Sequence, residues 1–302
     1  MLQAATTPSK LGPDAAGAAI LARASAPFAR RLDPTLPGPV AVGFSGGGDS
    51  LALLLAARAW ARTAGRPLLA LTVDHGLNPQ SRSWTCQAET IAAALGVRFQ
   101  ALAWEGDKPR AGLQAAARRA RHALLAAAAR EAGASVLLLG HTRDDVGEAR
   151  WMRAQGSSVG SPREWSPSPA WPEGRGVFLL RPFLDVGRVE LRQMLAPAGL
   201  AWIEDPANDD IRFLRTLARR AAAPGERPPE QPAPEGGFEV DPSGTVRLGR
   251  GAAPSLLAMA CVCTGGGERP PRREALERLV RRLAAGKVFT ATLAGARIRA
   301  GD

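Results

Sequence analysis

The stretch GFSGGGDS, Gly43 to Ser50, sets an anion cradle beside a carboxylate. Its spacing, G-x-x-x-x-G-D-S, is that of a Walker A phosphate loop with Asp49 where the phosphate-binding lysine would stand. Backbone amides of Ser45, Gly46, Gly47 and Gly48, with a helix N-terminus behind them, can hold a phosphate group without a lysine. An acid at this place calls for a cation. Mg²⁺ binds phosphates through one or two carboxylates and waters, so Asp49 could hold Mg²⁺ against a nucleotide. A Walker lysine supports chemistry at the γ-phosphate, and its replacement points to cleavage between the α- and β-phosphates.

A second set of residues has the spacing for proton and charge work. His141 and Asp145 are four apart, and Asp145 and Glu148 three apart, so on a helix they share a face. Two carboxylates there could hold a cationic amine, with one accepting its proton. The competing reading is that Asp144, Asp145 and Glu148 merely favour a helix N-terminus. Asp74 and His75 close a strand and either border a nucleotide or form a turn before Gly76. Arg118, Arg119 and Arg121 lie on one helix with Arg110 ahead, as a solvated face or as phosphate contacts. His122, inside an alanine-rich helix, reads as structural.

The elements that would position these groups alternate. Short apolar runs such as PGPVAVGFS, RPLLALTVDHG, VRFQALAWEG, ASVLLLGH and VFLLRPF read as buried strands, separated by helical stretches. Strand–helix alternation predicts an α/β, doubly wound parallel sheet, with ligands beyond the carboxyl ends of its strands. Ser45, Asp74 and His141 all fall at such ends. Gly156–Gly176, rich in Ser, Pro and Gly, reads as a long loop. The Pro/Glu/Gly-rich stretch at 223–237 divides a catalytic unit, 1–222, from a smaller α+β unit, 238–302. That second unit should hold a hairpin turning at Pro242-Ser243-Gly244, an amphipathic basic helix from Pro271, and terminal strands.

The chain has 302 residues and a net charge of +11, with 45% hydrophobic and 22% charged residues. This is globular composition, and the charge makes nucleic acid the first partner to consider. The sign is the better argument. Lysine occurs only at Lys10, Lys108 and Lys287, and such an arginine excess often reflects GC-rich coding. Cys86, Cys261 and Cys263 do not form a disulfide framework or zinc site, which fits a reducing, cytoplasmic setting. Asp14–Arg31 reads as an amphipathic helix, not a signal peptide, and no apolar run approaches the ~18 residues of a membrane span.

Ser45-Gly46-Gly47-Gly48-Asp49-Ser50 resembles the S-G-G-x-D-S loop of the N-type ATP pyrophosphatases, whose fold is Rossmann-like and adenine nucleotide alpha hydrolase-like. VDHGL (Val73–Leu77), GHTRDDVGEARWMR (Gly140–Arg153) and EDPANDDIRFLRTLAR (Glu204–Arg219) narrow the resemblance to tRNA(Ile)-lysidine synthetase over roughly residues 40 to 220. The resemblance implies ATP-dependent adenylation at C2 of the wobble cytidine in the CAU anticodon of tRNA(Ile), displacement of AMP by free L-lysine, and Mg²⁺ as cofactor. It implies catalytic roles for Asp49, His141, Asp145, Glu148 and Arg215. It places ATP on residues 45–50, Asp74 and His75, and phosphate or tRNA on Arg118, Arg121, Arg212 and Arg219. A homodimer stays open.

This sequence departs from the family pattern at Asn78, Thr142, Val146, Ala149 and Thr216. The alternatives are another tRNA-modifying adenylating enzyme, such as a thiolase, and a non-catalytic RNA-binding paralogue. Thiolation through a cysteine pair is disfavoured, because Cys86 is the one cysteine in the catalytic unit.

Overall fold

The computed structural model describes residues 15–301 apart from 110, 158, 161, 169, 171–172, 175, 197–200, 205–213, 222–237, 241–244 and 266–269. The expected Pro-rich divider, the Pro242-Ser243-Gly244 turn and Arg212 therefore lie outside the described residues, as does Arg110.

A six-stranded sheet runs in the order β3-β2-β1-β4-β6-β5. Its strands are β1 (Val40–Gly43), β2 (Leu68–Asp74), β3 (Arg98–Ala103), β4 (Val136–Leu138), β5 (Trp165–Pro167) and β6 (Phe178–Leu180). The first four and β6 are parallel, and β5 pairs antiparallel with β6 at the edge. The chain runs outward from β1 through β2 to β3, then returns to start β4 on the other side of β1. The gap between the carboxyl ends of β1 and β4 is thus the point where the winding reverses, and a crevice opens there.

Alternation along the strands divides the core. Val40, Val42, Ala70, Leu138 and Leu180 face one side, where they meet α1 (Ala15–Arg31), α2 (Gly48–Ala64), α3 (Ser81–Ala94) and α6 (Arg188–Leu195) through Phe28, Leu51, Leu54, Ala92 and Leu195. Ala41, Leu69, Leu71, Leu137 and Leu179 face the other side, covered by Leu125, Ala128 and Ala129 of α4 (Leu113–Glu131). Two further helices, α5 (Arg143–Ala154) and α7 (Leu214–Ala221), pack together beside the crevice.

Two elements differ from the sequence reading. The long loop at 156–176 contains β5, whose Trp165 stacks on Phe178 with ring centroids 5.0 Å apart. A three-residue edge strand that ends in a proline has too little length for a period-2 signal. Beyond the divider stands α8 (Pro254–Gly265), whose Leu256, Leu257, Ala260 and Cys261 are buried. A helix apolar on all sides carries no amphipathic period to read.

The other elements between 238 and 301 are of the kinds expected from the sequence. They comprise the β7–β8 pair (Phe238–Val240, Val246–Leu248), helix α9 (Arg273–Ala284) and the β9–β10 hairpin (Phe289–Leu293, Ala296–Ala300). The hairpin turns through Ala294 and Gly295, both at positive φ, as a right-twisted two-residue turn requires.

Candidate active site

The cradle forms where β1 runs into α2. Gly46 sits at φ 79°, and a Cβ there would stand 2.4 Å from Ile203 Cδ1, so only glycine fits. Ser50 ties the loop together: its hydroxyl donates to the Gly47 carbonyl (2.8 Å) and accepts from the Ser45 amide (3.2 Å). The amides of the first turn of α2 have no intrahelical acceptor, which suits them to an anion. Across it, β4 and the start of α5 approach so closely that a Cβ on Gly140 would lie 3.1 Å from the Asp49 carbonyl oxygen. The segment at 201–204 covers the cradle. Ile203 donates its amide to the Gly46 carbonyl (2.9 Å), and a Cβ on Gly48 would meet the Trp202 ring at 3.5 Å.

The opposite wall is a charged lattice. Asp145 accepts the Thr142 amide (2.7 Å) and hydroxyl (2.9 Å), which closes the N-terminus of α5. Its other oxygen accepts from Arg188 (2.8 Å) and from Arg215. Glu148 accepts from Arg188, from Arg215 Nε (2.9 Å) and from Arg219 Nε (3.1 Å). Arg188 reaches Asp49 as well, Nε to Oδ2 at 3.3 Å. Burial opposes charge on Asp145, but Arg188 and Arg215 outweigh it and hold the carboxyl well below the usual range. Burial pushes the Asp49 carboxyl up, against the pull of Arg188.

His141 sits just before this wall. Arg181 donates to its Nδ1 from Nε at 3.2 Å, and burial lowers the imidazole to about 3, so the ring is neutral. His122 is buried with neither ring nitrogen bonded, and burial lowers it to about 2. On the same helix, burial and the neighbouring Arg118 bring the half-buried Arg121 down to about 10.

The structure thus brings together Ser45–Ser50, His141, Asp145, Glu148, Arg215 and Arg219. Asp145 caps its helix, as the helix-terminus reading expects, and also accepts from Arg188 and Arg215. The carboxylate seat expected for a substrate amine is filled by guanidiniums. Arg219, expected on phosphate, pairs with Glu148.

Asp74 makes the turn itself, accepting the Gly76 amide at 2.8 Å, while His75 packs edge-on against Trp104 and leaves its buried Nδ1 unbonded. Arg181, Arg188, Trp202 and Ile203 were missed by sequence reasoning. The departures from the family pattern have local uses. Asn78 takes the Gln80 amide on its side chain (2.8 Å) to start α3, Thr142 holds Asp145, and Val146, Ala149 and Thr216 are buried.

Residues 23–226 match the PP-loop domain family. Over 272 residues the chain is 57% identical to the tRNA(Ile)-lysidine synthase of Caulobacter vibrioides, covering 90% of this chain and 67% of that one. The chain belongs to the tRNA(Ile)-lysidine synthase family of PP-loop enzymes. Over 299 residues it is 39% identical to the synthase of Hyphomonas neptunium, covering 89% of this chain and 80% of the relative. Among solved structures, the U34-tRNA thiolase NcsA from Methanococcus maripaludis, which carries a [4Fe-4S] cluster, shares the fold. The TM-score is 0.55 at 18% identity, over 67% of this chain and 72% of that one.

In this synthase-family chain no group of three metal-ligating side chains occurs among the described residues. No helix among them is long and apolar enough to cross a membrane.

Proposed function

We propose that the chain ligates free L-lysine to C2 of the wobble cytidine of tRNA(Ile) with a CAU anticodon, releasing AMP and pyrophosphate. One observation carries the reading: an acid-bearing phosphate cradle faces the His141–Asp145–Glu148 wall across the sheet's reversal point. ATP phosphates would lie on the amides of residues 46–49, with the segment at 201–204 excluding water from one side. Asp49 brings a carboxylate to the cradle, which suits a Mg²⁺ that takes its other ligands from phosphate and water. Bound there, Mg²⁺ would neutralise phosphate charge.

The cytidine oxygen attacks the α-phosphate and pyrophosphate leaves. The ε-amine of lysine then attacks C2 and AMP leaves. Asp145 would take up the amine's proton, once an arginine has yielded its place. We assign this work to a catalytic unit, 1–222, and a tRNA-contacting unit, 238–302, with the Pro-rich stretch 223–237 between them.

Mass spectrometry of the wobble nucleoside after incubation with tRNA, ATP and lysine tests the reading, with lysidine as the expected product. Pyrophosphate release with a sulfur-containing nucleoside would mark a thiolase. Binding of tRNA without any pyrophosphate release would mark a non-catalytic paralogue.

A further inference from the structure

We infer that Arg181 is a positioning residue that fixes His141 as a neutral hydrogen-bond donor acting through Nε2. The inference rests on the lysidine-forming reading only for the reaction it serves; its geometric part stands without it.

Arg181 follows β6 and is 6% exposed. Its three bonds go to uncharged acceptors: His141 Nδ1 at 3.2 Å, the Arg163 carbonyl at 3.0 Å and the Ser166 hydroxyl at 2.8 Å. The last two come from the β5 side of the edge hairpin and hold one end of the guanidinium, so that Nε is aimed at the imidazole. A guanidinium keeps its protons and can only donate. Nδ1 must therefore present its lone pair, and the proton of a neutral ring stands on Nε2. The surrounding charges agree. Arg181 from the β6 end and Arg118 and Arg121 from α4 oppose an imidazolium, His122 of α4 is itself neutral, and Asp145 of α5 acts in the opposite direction without outweighing burial.

A histidine so held cannot serve as a base through Nδ1. It is suited to donate from Nε2 to oxygen that gains charge, as at a phosphate during adenylation. A neutral donor kept from protonation by its surroundings is an established way to stabilise such charge. Arg181 touches none of the reacting atoms in this scheme and acts through His141.

The experiment uses the full chain labelled with ¹⁵N-histidine. The sequence holds 3 histidines, so His141→Gln assigns the resonances directly. The expected result is an Nε2-protonated, neutral ring for His141 from pH 8 to pH 5. Arg181→Met should lower the rate of tRNA-dependent pyrophosphate release at saturating ATP by about tenfold to a hundredfold, less than the about 10²–10³ for losing a preorganised donor outright because the imidazole stays in place, with KM for ATP little changed. Arg181→Lys should recover part of the rate. Ser166→Ala removes one anchor but leaves the bond to His141, and should cost only a few-fold.

A proton on Nδ1 in the parent protein, full activity in Arg181→Met, or equal losses in Ser166→Ala and Arg181→Met would each overturn the assignment. If Arg181→Met does not fold, the parent tautomer and the Arg181→Lys rate decide. The expected tautomer with no pyrophosphate release from any tRNA would uphold the geometry and overturn the lysidine reading instead.

Discussion

Arg188 Nε lies 3.3 Å from Asp49 Oδ2, and the same guanidinium also holds Asp145 and Glu148. One cation therefore links the phosphate loop to the opposite wall. The two ends differ in burial: the Glu148 side chain is 2% exposed and that of Asp49 30%. Arg188→Met should cost about 2–4 kcal/mol of stability, since it strips charge compensation from a buried carboxylate. Asp49→Asn should cost under about 1 kcal/mol, because its ion pair is partly solvated, yet abolish pyrophosphate release. Urea unfolding beside a pyrophosphate assay checks both. Equal destabilisation would make Asp49 part of the scaffold.

Glu148 accepts from three arginines, whereas Asp145 accepts from two arginines and from Thr142. Sequence reasoning assigned it, with Asp145, to the incoming amine. The geometry leads to a different expectation for Glu148→Gln: stability falls by about 3 kcal/mol, and pyrophosphate release and lysine incorporation fall together. Single-turnover measurement of both steps decides. Loss of lysine incorporation with intact pyrophosphate release would return Glu148 to the amine seat.

The cradle and the parallel strands were legible because each strand is an apolar run closed by a glycine or a polar turn residue. His141, Asp145 and Glu148 were legible through spacing on one helix. Arg181 and Arg188 were not. In a chain rich in arginine, a lone arginine after a strand or at the start of a helix carries no periodic mark. Only the order β1-β4-β6 brings the end of β6 beside His141 and the start of α6 beside Asp49. The segment at 201–204 was hidden for the same reason, since its contact with Gly46 spans more than 150 residues of sequence.

Acid should weaken the fold before it reaches the carboxylates. Burial lowers His122 to about 2 and His141 to about 3, against about 6.5 for an unfolded histidine. The unfolded chain thus binds more protons below that value. Stability is complete above about pH 6.5 and is lost as pH falls, by up to about 1.4 kcal/mol per pH unit for each ring. Asp145, held low, adds its loss only below about pH 4. Asp49, pushed up, works in the opposite direction and offsets part of the slope. Denaturation at pH 7.5, 6 and 5 should show the decline. His122→Leu, which removes two unbonded buried nitrogens, should flatten it and raise stability at pH 5. A flat parent profile would show that the rings are hydrated.

Arg297 and Arg299 alternate on β10 opposite Thr292 and Thr290, both exposed and on one face of the hairpin. If the second unit meets tRNA phosphates, replacing both by alanine should reduce the salt dependence of tRNA binding by about 2 in log–log slope and leave ATP binding unchanged. Filter binding from 50 to 300 mM salt tests this. An unchanged slope would remove this hairpin from the tRNA interface.

The nucleotide products follow from the same loop. Amides of the first turn of α2 can carry phosphate charge without a side-chain cation, and Asp49 stands where a Walker lysine would meet the γ-phosphate. Cleavage should therefore fall between the α- and β-phosphates, with AMP and pyrophosphate in equal amounts and only in the presence of tRNA. ADP and phosphate as main products would refute this. Asp49→Lys restores the Walker spelling G-x-x-x-x-G-K-S but should not create an ATPase. Its ammonium would meet the Arg188 guanidinium, which now lies 3.3 Å from the carboxylate, in a site where like charges repel strongly. Nucleotide turnover of either kind should be lost. Phosphate release by Asp49→Lys above background would mean that the loop, and not the residue at 49, selects the bond that breaks.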